Sequence, residues 1–294
     1  MMNIQSVGIM SPGDMGHAVG RALGAADLEV IACLKERSER TRSLAASAGI
    51  CEVADLETLA RQADVILSIL VPSEAASAAE AMANAIRNTG SSPVFVDCNA
   101  IAPSTANQIC ETITKAGGRF IDGGIIGGPP GPNEITRLYV SGPNDRLLQE
   151  LDGHGIAVRQ LGGQVGRASG IKMCYASLTK GAAALNTAAL LTAQSLGLSD
   201  ELHQELEESQ TARLQSMQSI RGLSAKAFRW VGEMEEIAKT YAEAGVTSHF
   251  HEGAADVFRT IAESEIGHER PETIDQSRTL AETIRLLARG PRKP

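Results

Sequence analysis

Aromatic side chains are scarce in this chain, with one Trp, three Tyr and five Phe among 294 residues, whereas glycine alone numbers 29. That poverty disfavours a broad β-sandwich and suits close helix packing with tight turns between strands and helices. Cysteine is sparse too. Its five occurrences, Cys33, Cys51, Cys98, Cys110 and Cys174, form no C-x-x-C pair and have no histidine at metal-ligand spacing, so neither a disulfide framework nor a metal site is indicated. They are expected as reduced, mostly buried thiols. Positive charge is in deficit: a formal net charge of −8 argues against a nucleic-acid partner, because phosphate binding needs clustered Lys and Arg. Arg289, Arg292 and Lys293 near the end are expected to form a solvated tail. The most apolar helical stretch, 182–193, is broken by Asn186, Thr187 and Thr192 and is bounded by Lys180, so it is too short to span a bilayer. No charged leader precedes the first apolar run, and a cytoplasmic protein is expected.

The composition that remains is globular, with 43% hydrophobic and 21% charged residues, and the length suffices for two domains with separate cores. Residues 6–10 form an apolar run that stops at Ser11-Pro12-Gly13. Helix-compatible sequence covers 14–23, a second apolar run covers 29–34, and a charged helical stretch covers 38–48. Further strands are expected at 65–70, 93–97, 119–121 and 138–141, several with helical segments between them. Alternation at this spacing predicts an α/β domain of Rossmann type, a mostly parallel sheet with helices on both faces. After Gly162-Gly163 the pattern is helical as far as Leu287, with breaks near Gly197, Gly222, Gly245 and Pro271. The expected organisation is a nucleotide-binding Rossmann domain over 1–163 and an all-helical domain over 164–294. The second opens with a helix over 168–196, about 40 Å long, that links the halves. There is no internal repeat and no low-complexity segment.

The turn after the first strand reads Ser11-Pro12-Gly13-Asp14-Met15-Gly16. A G-x-G-x-x-G turn works by letting backbone amides approach a pyrophosphate at the positive end of a helix. Ser11 replaces its first glycine, while Gly13 remains for close approach and Gly16 for helix packing. The position after strand one makes dinucleotide binding the expectation. Residues after the second strand decide which nicotinamide cofactor is held: Glu36 suits a ribose 2′-hydroxyl, whereas Arg37 and Ser38, with Arg40 and Arg42 nearby, suit a 2′-phosphate. NADP is favoured, with NAD as the alternative. For Arg40 and Arg42 a solvated helix face is an equally good reading.

Four further motifs carry a family resemblance: Leu70-Val71-Pro72 after a strand, D-C-N-A-I-A-P over 97–103, D-G-G-I-I-G-G over 122–128, and G-R-A-S-G-I-K ending at Lys172. In this order and spacing the chain resembles the β-hydroxyacid dehydrogenase superfamily, which includes 3-hydroxyisobutyrate and 6-phosphogluconate dehydrogenases. The stretches at 172–181, 234–238 and 251–255 resemble a branch with its own 6-phosphogluconate-dehydrogenase-like helical C-terminal domain. The resemblance implies that Lys172 is the general acid/base, with a pKa lowered by burial in a cleft between domains. It also implies cofactor contacts from Leu70, Val71, Pro72 and Asn99, and a homodimer acting on a small-molecule substrate, with no membrane and no metal.

Two departures stand out. Tyr175 and Ala176 occupy positions where many members carry amides, and Tyr175, one turn from Lys172, offers a phenol to donate a proton or orient substrate. Ile126 stands where a serine helps hold a carboxylate, which leaves the backbone amides of Gly127 and Gly128 and the side chain of Asn99 to meet an acid or carbonyl group. A less polar or bulkier substrate than 3-hydroxyisobutyrate is implied. Thr179 is expected to approach the pocket, and Phe250 and His251 to line it across a dimer. Lys180 is read as solvent-exposed, Asp97 and Asp122 as turn and cap residues, and His249 and His251 as diverging on a helix rather than sharing zinc. The expected function is hydride transfer between NADP(H) and a small β-hydroxy acid or related aldehyde or ketone. An imine reductase and a non-catalytic NADP(H)-binding sensor are the alternatives.

Overall fold

A computed structural model describes residues 4–132 and 134–290; Arg292 and Lys293 of the expected tail lie outside them. The chain forms two compact units that divide after Met173.

The first unit alternates strand and helix: β1 (Ser6–Ile9), α1 (Gly16–Gly24), β2 (Glu29–Cys33), α2 (Glu39–Ser47), β3 (Cys51–Val53), α3 (Leu56–Gln62), β4 (Val65–Ser68), α4 (Pro72–Thr89), β5 (Val94–Asp97) and α5 (Pro103–Lys115). It continues with β6 (Arg119–Ile126), β7 (Thr136–Ser141), a 3-10 segment (Asp145–Leu151), β8 (Ile156–Gln160) and the opening turns of α6 (Arg167–Leu196). The strands make one sheet in the order β3-β2-β1-β4-β5-β6-β7-β8. Pairing is parallel except where the short β6–β7 connection reverses the chain, and β8 then lies parallel to β7. Strand order departs from chain order beside β1, so a crevice for ligands is expected beyond the carboxyl end of that strand.

Both faces of the sheet are covered. Val7, Ile9, Val65, Leu67, Val94 and Val96 point into one buried cluster, whereas Ile31, Ile66, Phe95 and Phe120 point into the other with Met82 and Ile86 of α4. Two-sided burial is why these strands read as unbroken apolar runs rather than as alternation. The two edge strands were not expected from sequence: two of the three residues of β3 are exposed, and the last two of β8 are as well. β6 runs five residues beyond its expected end at Ile121, through Gly123 and Gly124. A Cβ at Gly123 would lie 2.7 Å from the carbonyl oxygen of Asp97, so the missing side chain lets β5 and β6 close up. The expectation of mostly buried thiols needs correction, since Cys33 and Cys98 are buried but Cys51 and Cys174 are exposed; all five are free.

The second unit holds the rest of α6, then α7 (Ser199–Ser209), α8 (Thr211–Met217), α9 (Ala227–Glu243), α10 (His249–Glu263) and α11 (Leu280–Ala288). α9 and α10 pack antiparallel. Trp230 near the start of α9 meets Phe258 edge-on at 5.1 Å, and Tyr241 near its end meets His251 at 4.3 Å. Arg278 clamps Glu269 through two hydrogen bonds of 2.7 Å each. Among the described residues no helix is long and apolar enough to cross a membrane.

Candidate active site

β1 ends at Ile9, and the following turn folds back tightly, the amide of Gly13 donating to the carbonyl of Ser11 at 2.9 Å. A Cβ at Gly16 would fall 2.3 Å from that same carbonyl oxygen, so only glycine lets α1 start this close to β1. A Cβ at Gly13 would meet no atom within 4 Å. The turn is therefore tight against the sheet and open outward, as a backbone cradle for a pyrophosphate must be. Beyond β2, Glu36 is exposed with φ at +61°, in the left-handed region. The next residue turns inward: an Nη of Arg37 donates to the carbonyl of Met10 at 3.2 Å. Ser38 caps α2, its hydroxyl accepting from the amide of Thr41 at 3.2 Å. Arg40 reaches back to the Asp14 carboxylate at 2.5 Å, while Arg42 pairs with Glu52 at the surface. Arg37 thus reaches the residue just before the 11–16 turn, and Arg40 reaches the turn itself.

Leu70, Val71 and Pro72 are half-buried at the start of α4, where Pro72 occupies the first turn and needs no amide partner. Leu70 donates its amide to Oδ1 of Asn99 at 2.5 Å. Both Nδ2 hydrogens of Asn99 are also committed, to the Ser68 hydroxyl at 3.0 Å and to the Asp97 carboxylate at 2.9 Å. Asn99 was expected to offer that amide to cofactor and substrate. It is instead a buried strut tying the ends of β4 and β5 together, and what it contributes is the position of the 70–72 turn.

Asp122, in the middle of the extended β6, closes the start of α6. One carboxylate oxygen accepts from the amides of Gly166, Ala168 and Ser169 at 2.8, 2.9 and 3.1 Å and from the hydroxyl of Ser141 at 2.8 Å. The other accepts from the Ser169 hydroxyl at 2.5 Å. Burial pushes this carboxyl upward in pKa against the pull of its hydrogen bonds. Gly124 brings the strand and helix into contact, since a Cβ there would sit 2.7 Å from the carbonyl oxygen of Ala168 and 3.1 Å from Cβ of Lys172. Lys172 is thereby laid along β6, and its ammonium donates to the carbonyl of Ile125. That partner is a neutral dipole rather than a carboxylate, and desolvation lowers the lysine's pKa from 10.5 to about 8. Ile126 is buried. Gly127 takes a left-handed φ of +111°, and the amide of Gly128 donates to the carboxylate of Glu134 at 2.7 Å. The Gly128 amide, expected to be open to a ligand, is therefore occupied by a side chain of the protein.

In the second unit Tyr175 is 43% exposed and Phe250 is 78% exposed, both presenting aromatic surface. Thr179 is exposed and turns its hydroxyl to the helix carbonyls of Tyr175 and Ala176 at 3.3 Å. His251 was expected to line a pocket. It is buried against Tyr241, whose phenol bonds the Ser177 hydroxyl at 2.7 Å, and desolvation lowers its pKa. His249, two residues earlier, is exposed and pairs with Glu252 at 2.9 Å. Among the described residues no group of three potential metal ligands occurs. Lys180 is not solvent-exposed as expected: it pairs with Glu233, the two side chains being 12% and 14% exposed, and its amine sits 5.2 Å from the centre of the Trp230 ring.

Residues 6–151 match the NAD binding domain of 6-phosphogluconate dehydrogenase, and residues 193–261 match a domain of unknown function, DUF1932. An uncharacterised 28.5 kDa protein of Methanothermus fervidus is 31% identical over 186 residues, which is 62% of this chain and 69% of that protein. A solved protein of unknown function, described as structurally similar to 3-hydroxyacid dehydrogenases, is 27% identical with a TM-score of 0.64, covering 87% of this chain and 96% of its own. The Mycobacterium tuberculosis 3-hydroxyisobutyrate dehydrogenase has the same fold, with a TM-score of 0.68 over 97% of this chain and 99% of that one at 16% identity. The chain belongs to the β-hydroxyacid dehydrogenase superfamily. Imine reductases share the superfamily's fold, the Streptomyces aurantiacus enzyme at a TM-score of 0.52 and 20% identity over 96% of this chain and 99% of that one.

As a superfamily member the chain has a domain of the kind that binds a nicotinamide dinucleotide. Sequence reasoning left Arg40 open between a phosphate contact and a solvated helix face, because nothing in the spacing says that its side chain returns to Asp14 of the 11–16 turn, and it overlooked Glu134. Glu134 lies in a proline- and glycine-rich connection, and the signal that could have exposed it is an acid six residues after a glycine pair in a loop too short to carry it far.

Proposed function

We propose that this protein transfers hydride between NADP(H) and a small β-hydroxy acid or related aldehyde or ketone, with Lys172 as the general acid/base. The observation that carries the reading is the half-buried Lys172, its amine held by a backbone carbonyl and brought by desolvation to a pKa of about 8. At that value both protonation states are populated near neutral pH, which proton transfer in either direction requires. In oxidation the neutral Nζ accepts the proton of the substrate hydroxyl; in reduction the ammonium returns it. The nicotinamide ring, when bound, supplies the hydride acceptor or donor.

The 11–16 turn would hold the pyrophosphate, aided by the amide-rich start of α1. NADP is preferred over NAD in this reading because Arg37 reaches Met10 and Arg40 reaches Asp14, which keeps both cations beside that turn, while Glu36 is exposed. Ser38 joins them as a hydroxyl at the start of α2. In this reading Ile126 and Gly127, which follow the carbonyl that holds Lys172, border the substrate. Exposed Leu178 and Leu185, with Leu196 further along α6, are suited to burial against a second copy, so the protein works as a homodimer. Free thiols at all five cysteines suit a reducing, cytoplasmic setting.

The test is absorbance at the reduced-nicotinamide band while hydroxy acids, aldehydes, ketones and cyclic imines are screened with each cofactor. The reading expects turnover with NADP(H) and a hydroxy or oxo compound, abolished by Lys172→Ala. Turnover of imines alone would make the protein an imine reductase, and tight NADPH binding with no turnover of any compound would make it a sensor.

A further inference from the structure

Three residues beyond the carbonyl that holds Lys172, the amide of Gly128 meets a carboxylate that comes from the protein itself. Several contacts fix this arrangement. A Cβ at Gly128 would lie 3.1 to 3.3 Å from Cδ, Oε1 and Cγ of Glu134, so the acid lies flat on the bare Cα of the glycine. The Gly128 carbonyl accepts from the buried Thr136 hydroxyl at 2.6 Å, which orients the peptide. Glu134 is anchored through its own amide, which donates to the carbonyl of Gly131 at 3.2 Å and closes the loop. Arg137 is the neighbouring cation, with an Nη 3.7 Å from where a Cβ on Gly127 would be, yet it forms no ion pair with Glu134 among the described residues.

We infer that Glu134 sets substrate specificity: it occupies the anion-accepting amide of Gly128 and so turns the site beside Lys172 toward neutral hydroxy or oxo compounds and away from those bearing an acid group there. The inference rests on the proposed hydride-transfer reading and chooses among its substrates. An incoming carboxylate must displace Glu134 from the amide and then remain near a like charge, whereas a neutral group faces neither obstacle. Once Glu134 is removed, the same acid finds the Gly128 amide and the Arg137 guanidinium unoccupied by a competing carboxylate.

Two probes of equal chain length test this, 3-hydroxypropionate and 1,3-propanediol, titrated by calorimetry into the full chain loaded with NADP+. Glu134→Ala is expected to raise affinity for the acid about tenfold or more, the scale of one charge-assisted hydrogen bond, while affinity for the diol stays within about twofold. Glu134→Gln keeps an oxygen on the amide but removes the charge, so it preserves the loop and is expected to give a smaller gain. An acid affinity that is the same, or undetectable, in the wild type and both variants overturns the inference, as does a wild type that prefers the acid. Turnover is read separately. A binding shift without hydride transfer would bring down the proposed reaction and leave the role of Glu134 standing, and hydride transfer without the shift would do the reverse.

Discussion

The two units bury charge in different ways. In the second, Lys180 is matched by Glu233, and Arg278 is matched by Glu269, which also accepts from the Ser224 hydroxyl at 2.5 Å. In the first, Lys172 is half-buried against a carbonyl, and Asp122 is buried against amides and hydroxyls. A paired buried charge stabilises its pair geometry and resists titration, whereas a charge facing only dipoles keeps a shifted pKa and is available for proton transfer. The difference separates two lysines of α6, Lys180 held by a carboxylate and Lys172 held by a backbone carbonyl, the second being the one with the proposed part in proton transfer.

The largest expected effect breaks the comparison at Lys172. Lys172→Ala should lower turnover by about 10²- to 10⁴-fold with cofactor affinity little changed, and its urea midpoint should stay level or rise, because a desolvated amine is removed. A fall in midpoint matched to the loss of activity would make Lys172 a structural residue. Glu269→Ala should do the opposite, costing about 3–5 kcal/mol of stability by stranding Arg278, measured by denaturant titration. The Glu269 carboxyl, though desolvation opposes its charge, is held below its usual pKa of 4.5 by the Arg278 and Ser224 hydrogen bonds. Its contribution is therefore present above pH 4.5 and is lost as pH falls below it.

Smaller effects sharpen the picture. Arg37→Ala should weaken NADP by about 1–3 kcal/mol and NAD much less, read from dissociation constants by fluorescence titration; equal losses would reverse the cofactor preference. Least in size is a pH signature. With the Lys172 pKa near 8, oxidation should gain rate as pH rises through about 8 and reduction should lose it there. Profiles flat across that range would remove the amine from proton transfer.

Much of this was legible in sequence because it rests on short-range chemistry. The Ser11 to Gly16 turn, the strands on either side of it, and the run ending at Lys172 are local patterns with local causes. The edge strands β3 and β8 escaped because they are half-exposed and too short to show periodicity. The burial of Lys180 escaped because its partner, Glu233, lies on another helix. The commitment of Asn99 to Ser68, Asp97 and Leu70 escaped for the same reason: a side chain's spare donors cannot be counted until its neighbours in space are known.

The carboxylate that closes the head of α6 comes from 44 to 47 residues earlier in the chain. A helix start sealed by so distant a residue has no local nucleus to protect its first amides, and closing that loop carries an entropic penalty that only a completed sheet repays. Amide exchange should therefore find Gly166 to Ser169 protected only after β6 is in place. During folding, the Lys172 amine reaches the Ile125 carbonyl late, and gentle destabilisation of the sheet would release it while the body of the helix still stands.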